Sequence, residues 1–372
     1  MPDLKTSRFG GDYAVPPGES LLELLQEKSM NQSDLARLMG RPPKTINEIV
    51  QGKAAITPDT ALQLERVLGL KASAWNRLEA DYQEDRHRLE EERRLAADTD
   101  WLKRFPLVEM RRHYLLSAAG ANATAAEELL RFFGVGSKAG WEKQWTHVSA
   151  MARLSPSFKS KKEPLYAWLR WGEIEASRIK PRATFDVARF RKVLMEARSL
   201  TVLAPRQFIP QAQKLFASAG VVIVFLPEFT GTRVSGVARW ILGNIPLIQV
   251  SWRHKTDDQV WFSIYHESGH LILHRNKEMF LDDSPWPEEI SSLETEANKF
   301  AGDMLIPPTA YREFLDVGDL SVSAVGDFAD AIGIAPGIVL GRLQHEGRVA
   351  WSTGHRLKQT MRWQLSETPS VK

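Results

Sequence analysis

Apolar residues in the first quarter of the chain recur at helical spacing, and polar residues break the pattern into short pieces. Asn31 is a helix-start signal, and Gly40 is a helix-stop signal. Pro43 opens the next short helix and Gly52 closes it, because proline suits the first helical turn and glycine suits a helix end. The pattern therefore predicts three successive short helices. Their predicted bounds are 32–39, 44–51 and 57–69.

The pattern changes at about residue 220. The run from Gly220 to Pro227 is continuously apolar and rich in β-branched residues, which is typical of a short buried strand. Two further strands are predicted at 234–240 and 246–250, and helical periodicity then returns. The predicted helices of this last part cover 257–274, 292–305, 321–332 and 336–346.

The chain between these two parts also has helical patterns. Residues 74–97 are polar and dense in charge, so we predict a solvated helix there, with a domain boundary near residue 98. Residues 105–200 alternate helical patterns with breaks, and we expect their large aromatic residues to pack a helical core. These aromatic residues are Trp141, Trp145, Trp168 and Trp171.

The composition is that of an ordinary globular protein, with 43% hydrophobic and 26% charged residues, which excludes a wholly disordered chain. The absence of cysteine excludes disulfides, thiolate metal sites and cysteine nucleophiles. No apolar run reaches the roughly 18 residues of a membrane span, and residues 1–13 contain no apolar signal core. We therefore expect a cytoplasmic protein that does not enter the membrane.

Charge is distributed unevenly along the chain. Residues 99–210 carry 20 Lys and Arg against 10 Asp and Glu, whereas the segments on either side are mildly acidic. A basic surface attracts nucleic acid or an acidic protein partner. A basic surface that is merely solvated would give the same count, so both interpretations stay open.

Two short helices joined by a glycine-containing turn form the helix-turn-helix pattern, whose second helix can enter the major groove of DNA. Ala36 provides the small side chain that two closely crossing helices require. Polar residues on and around the second helix would contact phosphates and base edges. The predicted DNA contacts are Gln32, Arg41, Lys44, Thr45, Asn47 and Lys53. Because residues 1–98 carry 14 Lys and Arg against 17 Asp and Glu, a helical protein-binding module is the alternative.

The continuous pattern from Gly18 to Trp75 resembles the Xre-type helix-turn-helix family, and within it the HigA/VapI antitoxin branch. The resemblance implies a compact five-helix domain that binds operator DNA through the second helix of the motif. It also implies a homodimer and, in that branch, a HigB-like toxin as a partner.

The strongest chemical signal is the segment HESGH at residues 266–270. His266 and His270 lie on one face of a helix, roughly 6 Å apart, and this spacing suits two ligands of one Zn²⁺. Glu267 between them would act as general base on a water whose pKa the metal lowers. Apolar residues on both sides predict a buried helix, in which two histidines without a metal would be energetically costly.

A catalytic zinc needs a third protein ligand, and a second predicted helix offers one. Glu294 and Asn298 share a helix face, whereas Glu296 points about 160° away from Glu294. From the residues alone, either glutamate could face the metal, but not both. His274 is a rival ligand, although ligands at three successive helical turns would not converge tetrahedrally. We therefore expect His274 to support another ligand or to have a structural role.

The segments HESGHLILH and ETEANKFAGDMLIPP together resemble the ImmA/IrrE metallopeptidase family, over roughly residues 205–346. The resemblance implies that Glu267 is catalytic, that Asn298 supports a ligand, and that Glu296 is the fallback third ligand. The zinc ligands that it implies are His266, His270 and Glu294. Members of this family cut, or promote the cutting of, Xre-type repressors. This sequence departs from the simplest members because it carries its own helix-turn-helix.

The patterns and the two resemblances together predict a multidomain protein. We expect an all-α helix-turn-helix N-terminal domain and an α+β, zincin-like metallopeptidase domain with a small β-sheet. The predicted domains are an Xre-type helix-turn-helix domain at 1–82, a helical linker at 83–104, a basic helical region at 105–204 and an ImmA/IrrE-like zinc metallopeptidase domain at 205–372.

A peptidase must also hold an extended substrate and stabilise an oxyanion. The segment from Ile248 to Ser251 is predicted to be a sheet edge that pairs with the substrate, because polar residues interrupt its apolar run. Electrophilic help beside the metal could come from Tyr265, Arg253 or His345. For each of these three residues, an ordinary surface or core role is the alternative.

The first functional hypothesis is a DNA-binding regulatory zinc endopeptidase that cleaves a repressor, a toxin–antitoxin regulator or this chain itself. The second is a transcriptional repressor or antitoxin whose peptidase-like domain is a non-catalytic sensor. A generalist zinc aminopeptidase is the third, weakened because the chain shows no acidic cluster to capture a free amino terminus. The intact Glu267 favours the first hypothesis, because no structural need would preserve it in a decayed site.

Overall fold

The computed structural model describes residues 13–97, 99–152, 162–181, 183–241, 244–253, 256–274, 279–281 and 288–361. Within these residues it has 17 α-helices and four short β-strands. The helices are α1 (Pro17–Glu27), α2 (Gln32–Met39), α3 (Pro43–Val50), α4 (Pro58–Leu68), α5 (Ala72–Ala97), α6 (Thr99–Leu102), α7 (Leu107–Arg112), α8 (Ala123–Phe133), α9 (Lys138–Ala152), α10 (Lys162–Ser177), α11 (Val187–Ala197), α12 (Pro205–Ser218), α13 (Asp257–Leu273), α14 (Glu288–Leu305), α15 (Pro308–Val317), α16 (Val322–Ile332) and α17 (Pro336–His345). The strands are β1 (Val222–Phe225), β2 (Gly236–Ile241), β3 (Ile245–Val250) and β4 (Met279–Leu281).

The chain divides into two compact units. One consists of residues 1–102 with 118–128, and the other consists of residues 103–117 with 129–372. α1 to α6 belong to the first unit, and the whole sheet belongs to the second. The predicted fold class, a helix-turn-helix domain followed by an α+β domain with a small sheet, is confirmed. The predicted domain bounds stay predictions.

The first unit contains the predicted helix-turn-helix in α2 and α3. The Asn31 side chain accepts a hydrogen bond from the backbone N–H of Asp34 at 2.9 Å, and the Asp34 carboxylate accepts one from the N–H of Asn31. This reciprocal pair satisfies two N–H groups that the first helical turn leaves without a partner. Gly40 ends α2 in the left-handed conformation with φ of 63°. Both helix signals read from the sequence are therefore confirmed.

The core of the first unit takes one apolar stripe from each of α1 to α5. Ala36 is buried where α2 packs on α3, as its small side chain predicts. The remaining core is formed by residues that include Leu21, Leu35, Ile46, Leu64 and Trp75. These helices are short, so the packing of their apolar faces stabilises them more than helix propensity does.

The second unit is built on a four-stranded sheet with the strand order β1–β3–β2–β4. β3 pairs with β1 in parallel and with β2 antiparallel, so it lies inside the sheet. The expectation that residues 248–251 form a free edge is therefore wrong. Gln249 is polar for another reason, since its amide nitrogen donates to the carbonyl of Trp168 in α10 at 2.7 Å. The Ser251 hydroxyl likewise donates to the carbonyl of Val234.

α13 and α10 both pack against the sheet, and α13 lies in one continuous core with α11, α12, α14, α16 and α17. The centre of this core includes Phe190, Phe216, Ile248, Trp261 and Val339. The four tryptophans expected to anchor helices are all buried. α12, α15 and β4 have no counterpart among the helices and strands predicted from the sequence. No single described helix is long and apolar enough to cross a membrane, and α16 with α17 meets that test only as a pair bent by 119°.

Candidate metal centre

Close packing of α13 on α14 builds the site. Gly269 of α13 faces Ala297 of α14, and a Cβ added at Gly269 would lie 3.3 Å from the Cα of Ala297 and 3.1 Å from Cδ1 of Phe300. Two small residues at the crossing therefore let the helix backbones approach. This approach brings the Glu294 side chain, one turn before Asn298 on α14, up to the two histidines of α13.

The donor groups of the three residues form a tight cluster. Nε2 of His266 lies 3.0 Å from Nε2 of His270 and 3.1 Å from Oε2 of Glu294. Nε2 of His270 lies 3.3 Å from Oε1, the other oxygen of the same carboxylate. Ligands about 2.0–2.1 Å from a tetrahedral zinc are separated by about 3.3 Å, so these separations are compatible with ligands of one such ion.

Asn298 determines which nitrogen of His266 carries the proton. Its Oδ1 lies 2.9 Å from Nδ1 of His266. A carbonyl oxygen can only accept, so Nδ1 of His266 is protonated and its Nε2 presents a lone pair. A lone pair facing a carboxylate oxygen is favourable only when a cation lies between them. The hydrogen bonding around the cluster therefore fits a bound metal ion.

Burial determines the charge state of the cluster. His266 and His270 are 2% and 1% exposed, and Glu294 is 12% exposed. Burial lowers the pKa of His270 to about 4. Burial alone would raise the pKa of Glu294, but the imidazoles of His266 and His270 at hydrogen-bonding distance lower it to about 2. At neutral pH, a neutral His270 and an ionised Glu294 are therefore ready to bind a divalent cation without releasing a proton.

Glu296, the alternative to Glu294, faces a different partner. Its Oε2 lies 3.1 Å from Nε2 of His274, and Nδ1 of His274 lies 3.1 Å from Nδ1 of His270. Among the described residues, the group whose donor atoms can meet at one metal ion is His266, His270 and Glu294. The structure thus places Glu294 at the centre and places Glu296 and His274 behind His270.

Glu267 is fully buried at the end of the sheet where β2 begins. A Cβ added to Gly236, the first residue of β2, would lie 2.8 Å from Cγ of Glu267 and 2.9 Å from its Oε1. Glycine at this position therefore leaves the space that the Glu267 carboxylate occupies. Any larger residue would push this carboxylate along α13 or away from the sheet.

Two of the expected electrophilic donors are not brought to the cluster. The Tyr265 hydroxyl is buried and donates to the carbonyl of Leu194 at 2.6 Å. Tyr265 faces the core because it lies on the opposite side of α13 from the two histidines. His345 is exposed at the end of α17, a helix that approaches α13 at Asp257 and Asp258. The third expected donor is Arg253. One of its guanidinium nitrogens donates to the carbonyl of Arg233 at 2.5 Å.

The structure distributes the six expected DNA-contacting residues over different environments. Lys44, Asn47 and Lys53 are exposed, and Gln32 and Thr45 are half-buried. Lys44 also lies 3.7 Å from a carboxylate oxygen of Glu48, one turn along α3. Such an exposed pair is weak, so it leaves the ammonium group available to another anion.

Arg41 has partners within its own unit. Its Nε donates to Oε1 of Gln63 and its Nη2 donates to Oδ2 of Asp59, both at 2.6 Å. Its guanidinium therefore ties the turn before α3 to the first turns of α4. The partner residues lie 18 and 22 positions further along the chain, so the local pattern gave no sign of this role.

Sequence reasoning missed four residues that position the site. Gly236, Gly269 and Ala297 make room, and Arg198 donates to the last carbonyl of α14, that of Leu305, at 3.0 Å. Arg198 also donates to the carbonyl of Ile332 at the end of α16. The small residues within the two motifs were a usable signal. Arg198 had none, because it lies 107 positions before its partner in α14.

Comparison with known families matches both parts of the chain. The IrrE N-terminal-like domain model, of the peptidase family M78, matches residues 217–329. The helix-turn-helix model matches residues 21–75. The first match includes β1 to β4 and both helices of the metal centre, and the second includes α2 to α4.

Individual relatives match a smaller part of the chain. It is 35% identical over 63 residues to the HTH-type transcriptional regulator YddM of Escherichia coli (strain K12), covering 17% of this chain and 67% of that protein. It is 39% identical over 70 residues to virulence-associated protein I of Dichelobacter nodosus, covering 18% of this chain and 65% of that protein. The chain thus spans about two thirds of each relative.

Among solved structures, the chain is similar to the Pseudomonas aeruginosa antitoxin HigA with the higBA promoter. The identity is 26%, the match covers 23% of this chain and 95% of that one, and the TM-score is 0.22. The two family matches identify the two parts of the molecule, and the first of the relatives above supports the N-terminal one. The chain belongs to the helix-turn-helix regulators through residues 21–75, and it carries an IrrE N-terminal-like domain of peptidase family M78 at residues 217–329.

Proposed function

We propose that this protein is a DNA-binding regulatory zinc endopeptidase. The observation that carries the proposal is the cluster of Nε2 of His266, Nε2 of His270 and the two Glu294 carboxylate oxygens, with distances of 3.0–3.3 Å. Glu267 directly follows the first of these histidines on the same helix, and its side chain is fully buried. Two imidazoles and one carboxylate form the donor set of a catalytic zinc site, which leaves a fourth position open.

His266, His270 and Glu294 would hold the zinc. A zinc ion there would polarise the scissile carbonyl and lower the pKa of a water molecule. Replacement of zinc by another divalent metal is compatible with the same donors.

Glu267 would move the proton in this reaction. Its carboxylate would accept a proton from the attacking water and then donate it to the nitrogen of the leaving peptide. Gly236 supports this role because it lets the carboxylate lie against the start of β2, where α13 meets the sheet. Burial of Glu267 limits the positions that its carboxylate can adopt.

Operator DNA would bind to the helix-turn-helix unit, with Lys44, Asn47 and Lys53 as the principal contacts. They are exposed on or just after α3, the second helix of the motif. A homodimer would place two copies of this helix in successive major grooves. Gln32 and Thr45, which are half-buried, would make secondary contacts.

The substrate class that fits both units is a transcriptional regulator. A DNA-binding unit brings the peptidase to operators, where Xre-type repressors and antitoxins are concentrated. Cleavage of such a regulator would relieve repression. A HigB-like toxin is the further partner that the N-terminal resemblance implies.

The peptidase proposal is tested with the zinc-loaded full chain and the helix-turn-helix regulators encoded beside its gene, together with a peptide library. The matched variant is Glu267→Gln, which has the same shape but cannot accept the proton. We expect cleavage by the wild type and none by the variant, with equal zinc content in both. Equal cleavage by both proteins would remove Glu267 from the mechanism.

A zinc-loaded wild type that cleaves neither regulators nor library peptides would favour the alternative function, a repressor or antitoxin with a non-catalytic sensor domain.

Operator binding tests the helix-turn-helix unit separately from the peptidase. We expect Lys44→Ala and Asn47→Ala to weaken binding to the DNA upstream of the gene, measured by fluorescence anisotropy. Lys28→Ala, an exposed lysine at the end of α1, is the control for charge alone.

A further inference from the structure

The two histidines of the metal centre differ on the side that faces away from the other donors. Nδ1 of His266 lies 2.9 Å from an amide oxygen, that of Asn298. Nδ1 of His270 lies 3.1 Å from a second imidazole, that of His274. The His274 ring in turn contacts the carboxylate of Glu296, at 3.1 Å from its Nε2.

The protons of this second arrangement can be placed in only one consistent order. A neutral imidazole has one N–H and one lone pair. Nε2 of His270 turns its lone pair to the centre, so its Nδ1 carries the proton and donates to Nδ1 of His274. The His274 proton then lies on Nε2, where the Glu296 carboxylate accepts it. Each ring supplies one donor and one acceptor, and no hydrogen-bonding position is left over.

The backbone holds His274 in place for this contact. It is the first residue after α13, and its N–H donates to the carbonyl of His270 at 3.0 Å. Its side chain is 4% exposed, whereas that of Glu296 is 59% exposed. The chain of contacts therefore runs from the buried centre to the surface of α14.

Opposite faces of α14 explain how two glutamates serve one site. Glu294 and Glu296 are two residues apart, so they point in different directions around the helix. Glu294 turns to the centre and Glu296 turns to the ring behind His270. The sequence pattern E-T-E thus provides both a ligand and a supporting carboxylate.

We propose that His274 and Glu296 are positioning residues that fix the tautomer and orientation of His270 and strengthen it as a metal donor. The Glu296 carboxylate polarises the His274 ring, and Nδ1 of His274 therefore accepts more strongly from the N–H of His270. Electron density then increases on Nε2 of His270, the nitrogen that would bind the metal. Supporting partners of this kind are worth about 10–100-fold in metal affinity. The proposal rests on the metal centre of the proposed function and not on cleavage.

The test is the zinc dissociation constant of the full chain, measured by competition with a chelator. His274→Phe fills the space without an acceptor, and we expect zinc binding about 10–100-fold weaker. His274→Asn should recover most of that loss, because its Oδ1 can accept from His270 as Asn298 does from His266. Glu296→Gln should weaken binding by a smaller factor. Asp303→Asn, which removes another carboxylate of α14, is the matched control and should change nothing.

A double-mutant cycle tests whether Glu296 acts on His270 through His274. This connection from Glu296 through His274 to His270 is the relay, and the alternative is that the two residues act independently. In the His274→Phe background, Glu296→Gln should cause no further loss, since the connection to His270 is already broken. The cobalt-substituted protein should show a shifted absorption band in His274→Phe. The melting temperature of the metal-free protein, which a purely structural role would lower, should stay within about 2 °C of the wild type.

Wild-type zinc affinity in a folded His274→Phe protein would overturn the proposal. An equal effect of Glu296→Gln in both backgrounds would overturn the relay as well, because Glu296 would then act without His274. Failure of the proposed function looks different. A protein whose zinc affinity changes as expected in the His274 and Glu296 variants, but that cleaves no peptide, would support the relay and contradict the peptidase proposal.

Discussion

The two ends of α13 bury ionisable side chains and neutralise them in different ways. At the C-terminal end, two imidazoles and the Glu294 carboxylate converge on one point. At the N-terminal end, Asp257 and Asp258 are buried beside α17 and the segment that contains Lys358 and Gln359. Glycines make both approaches possible, with Gly269 at one end and a pair in α17 at the other.

The N-terminal end contains its own countercharge. Nζ of Lys358 lies 2.6 Å from Oδ2 of Asp258. Oδ1 of Asp257 accepts from the N–H of Gln359 at 3.0 Å, and the N–H of Asp257 donates back to the carbonyl of Gln359. The helix N-terminus also favours negative charge. The partners at this end therefore come from the protein, although Oδ2 of Asp257 and Oδ1 of Asp258 are buried without a hydrogen bond.

The C-terminal end offers a carboxylate and two imidazoles to the central point. In the proposed metal site, a bound cation would supply the positive charge that this carboxylate requires. Ionisable side chains buried at the two ends of one helix can therefore have different roles, folding at one end and, in the proposed function, chemistry at the other. The following changes should affect the two ends separately.

The largest effect is expected from removing a donor of the cluster. Glu294→Ala should abolish stable zinc binding, with a loss beyond the roughly 100-fold that a supporting residue can cost. Glu296→Ala should weaken zinc binding much less. Competition with a chelator measures both, and the reverse ranking would show that the third ligand is Glu296.

Breaking the ion pair at the other end should affect stability and leave the metal unchanged. Lys358→Met keeps most of the side-chain volume but leaves the buried Asp258 carboxylate without its partner. We expect a loss of about 3 kcal/mol in the free energy of unfolding, measured by urea denaturation. Zinc content should match that of the wild type. A parallel loss of zinc would mean that the two ends of α13 are coupled.

The pH dependence of stability should identify Asp257. Burial raises the pKa of Asp257 from an ordinary value near 3.8 to about 6. The folded state therefore holds a proton that the unfolded state has released, and stability falls as pH rises from about 4 to about 6. Asp257→Asn should remove this decline, which amounts to about 3 kcal/mol. Unfolding curves at pH 4, 5, 6 and 7 test it, and parallel profiles for the two proteins would contradict the assignment.

A smaller effect is expected at the helix crossing. Gly269→Val should push α14 away from α13, lower stability by about 1–3 kcal/mol and weaken zinc binding. Gly326→Val in α16 is the matched control, since an added Cβ there meets nothing within 4 Å. Equal zinc affinity in the two variants would show that the close crossing does not position Glu294.

Local signals in the sequence predicted much of the fold. Asn31 and Gly40 bound α2 as expected, because a capping side chain and a left-handed glycine act within a few residues. The helical spacing of His266 and His270 likewise predicted two donors on one face. Both features depend only on the geometry of a single helix.

Features that depend on distant parts of the chain were missed. Gln249 indicated an edge strand, but it is polar because α10 offers it a buried carbonyl. The contacts of Arg41 with α4 were not foreseen either, and its predicted DNA contact stays a prediction. Both features were missed for the same reason, since a polar residue reveals its need for a partner and the sequence does not locate that partner.

The most direct test of the central claim is the metal content of the purified full chain, beside Glu267→Gln and His266→Ala, after zinc is supplied. We expect about one zinc per chain in the wild type and in Glu267→Gln, and almost none in His266→Ala. A wild type that takes up no zinc, or a His266→Ala protein that retains it, would contradict the assignment of the cluster as a metal centre.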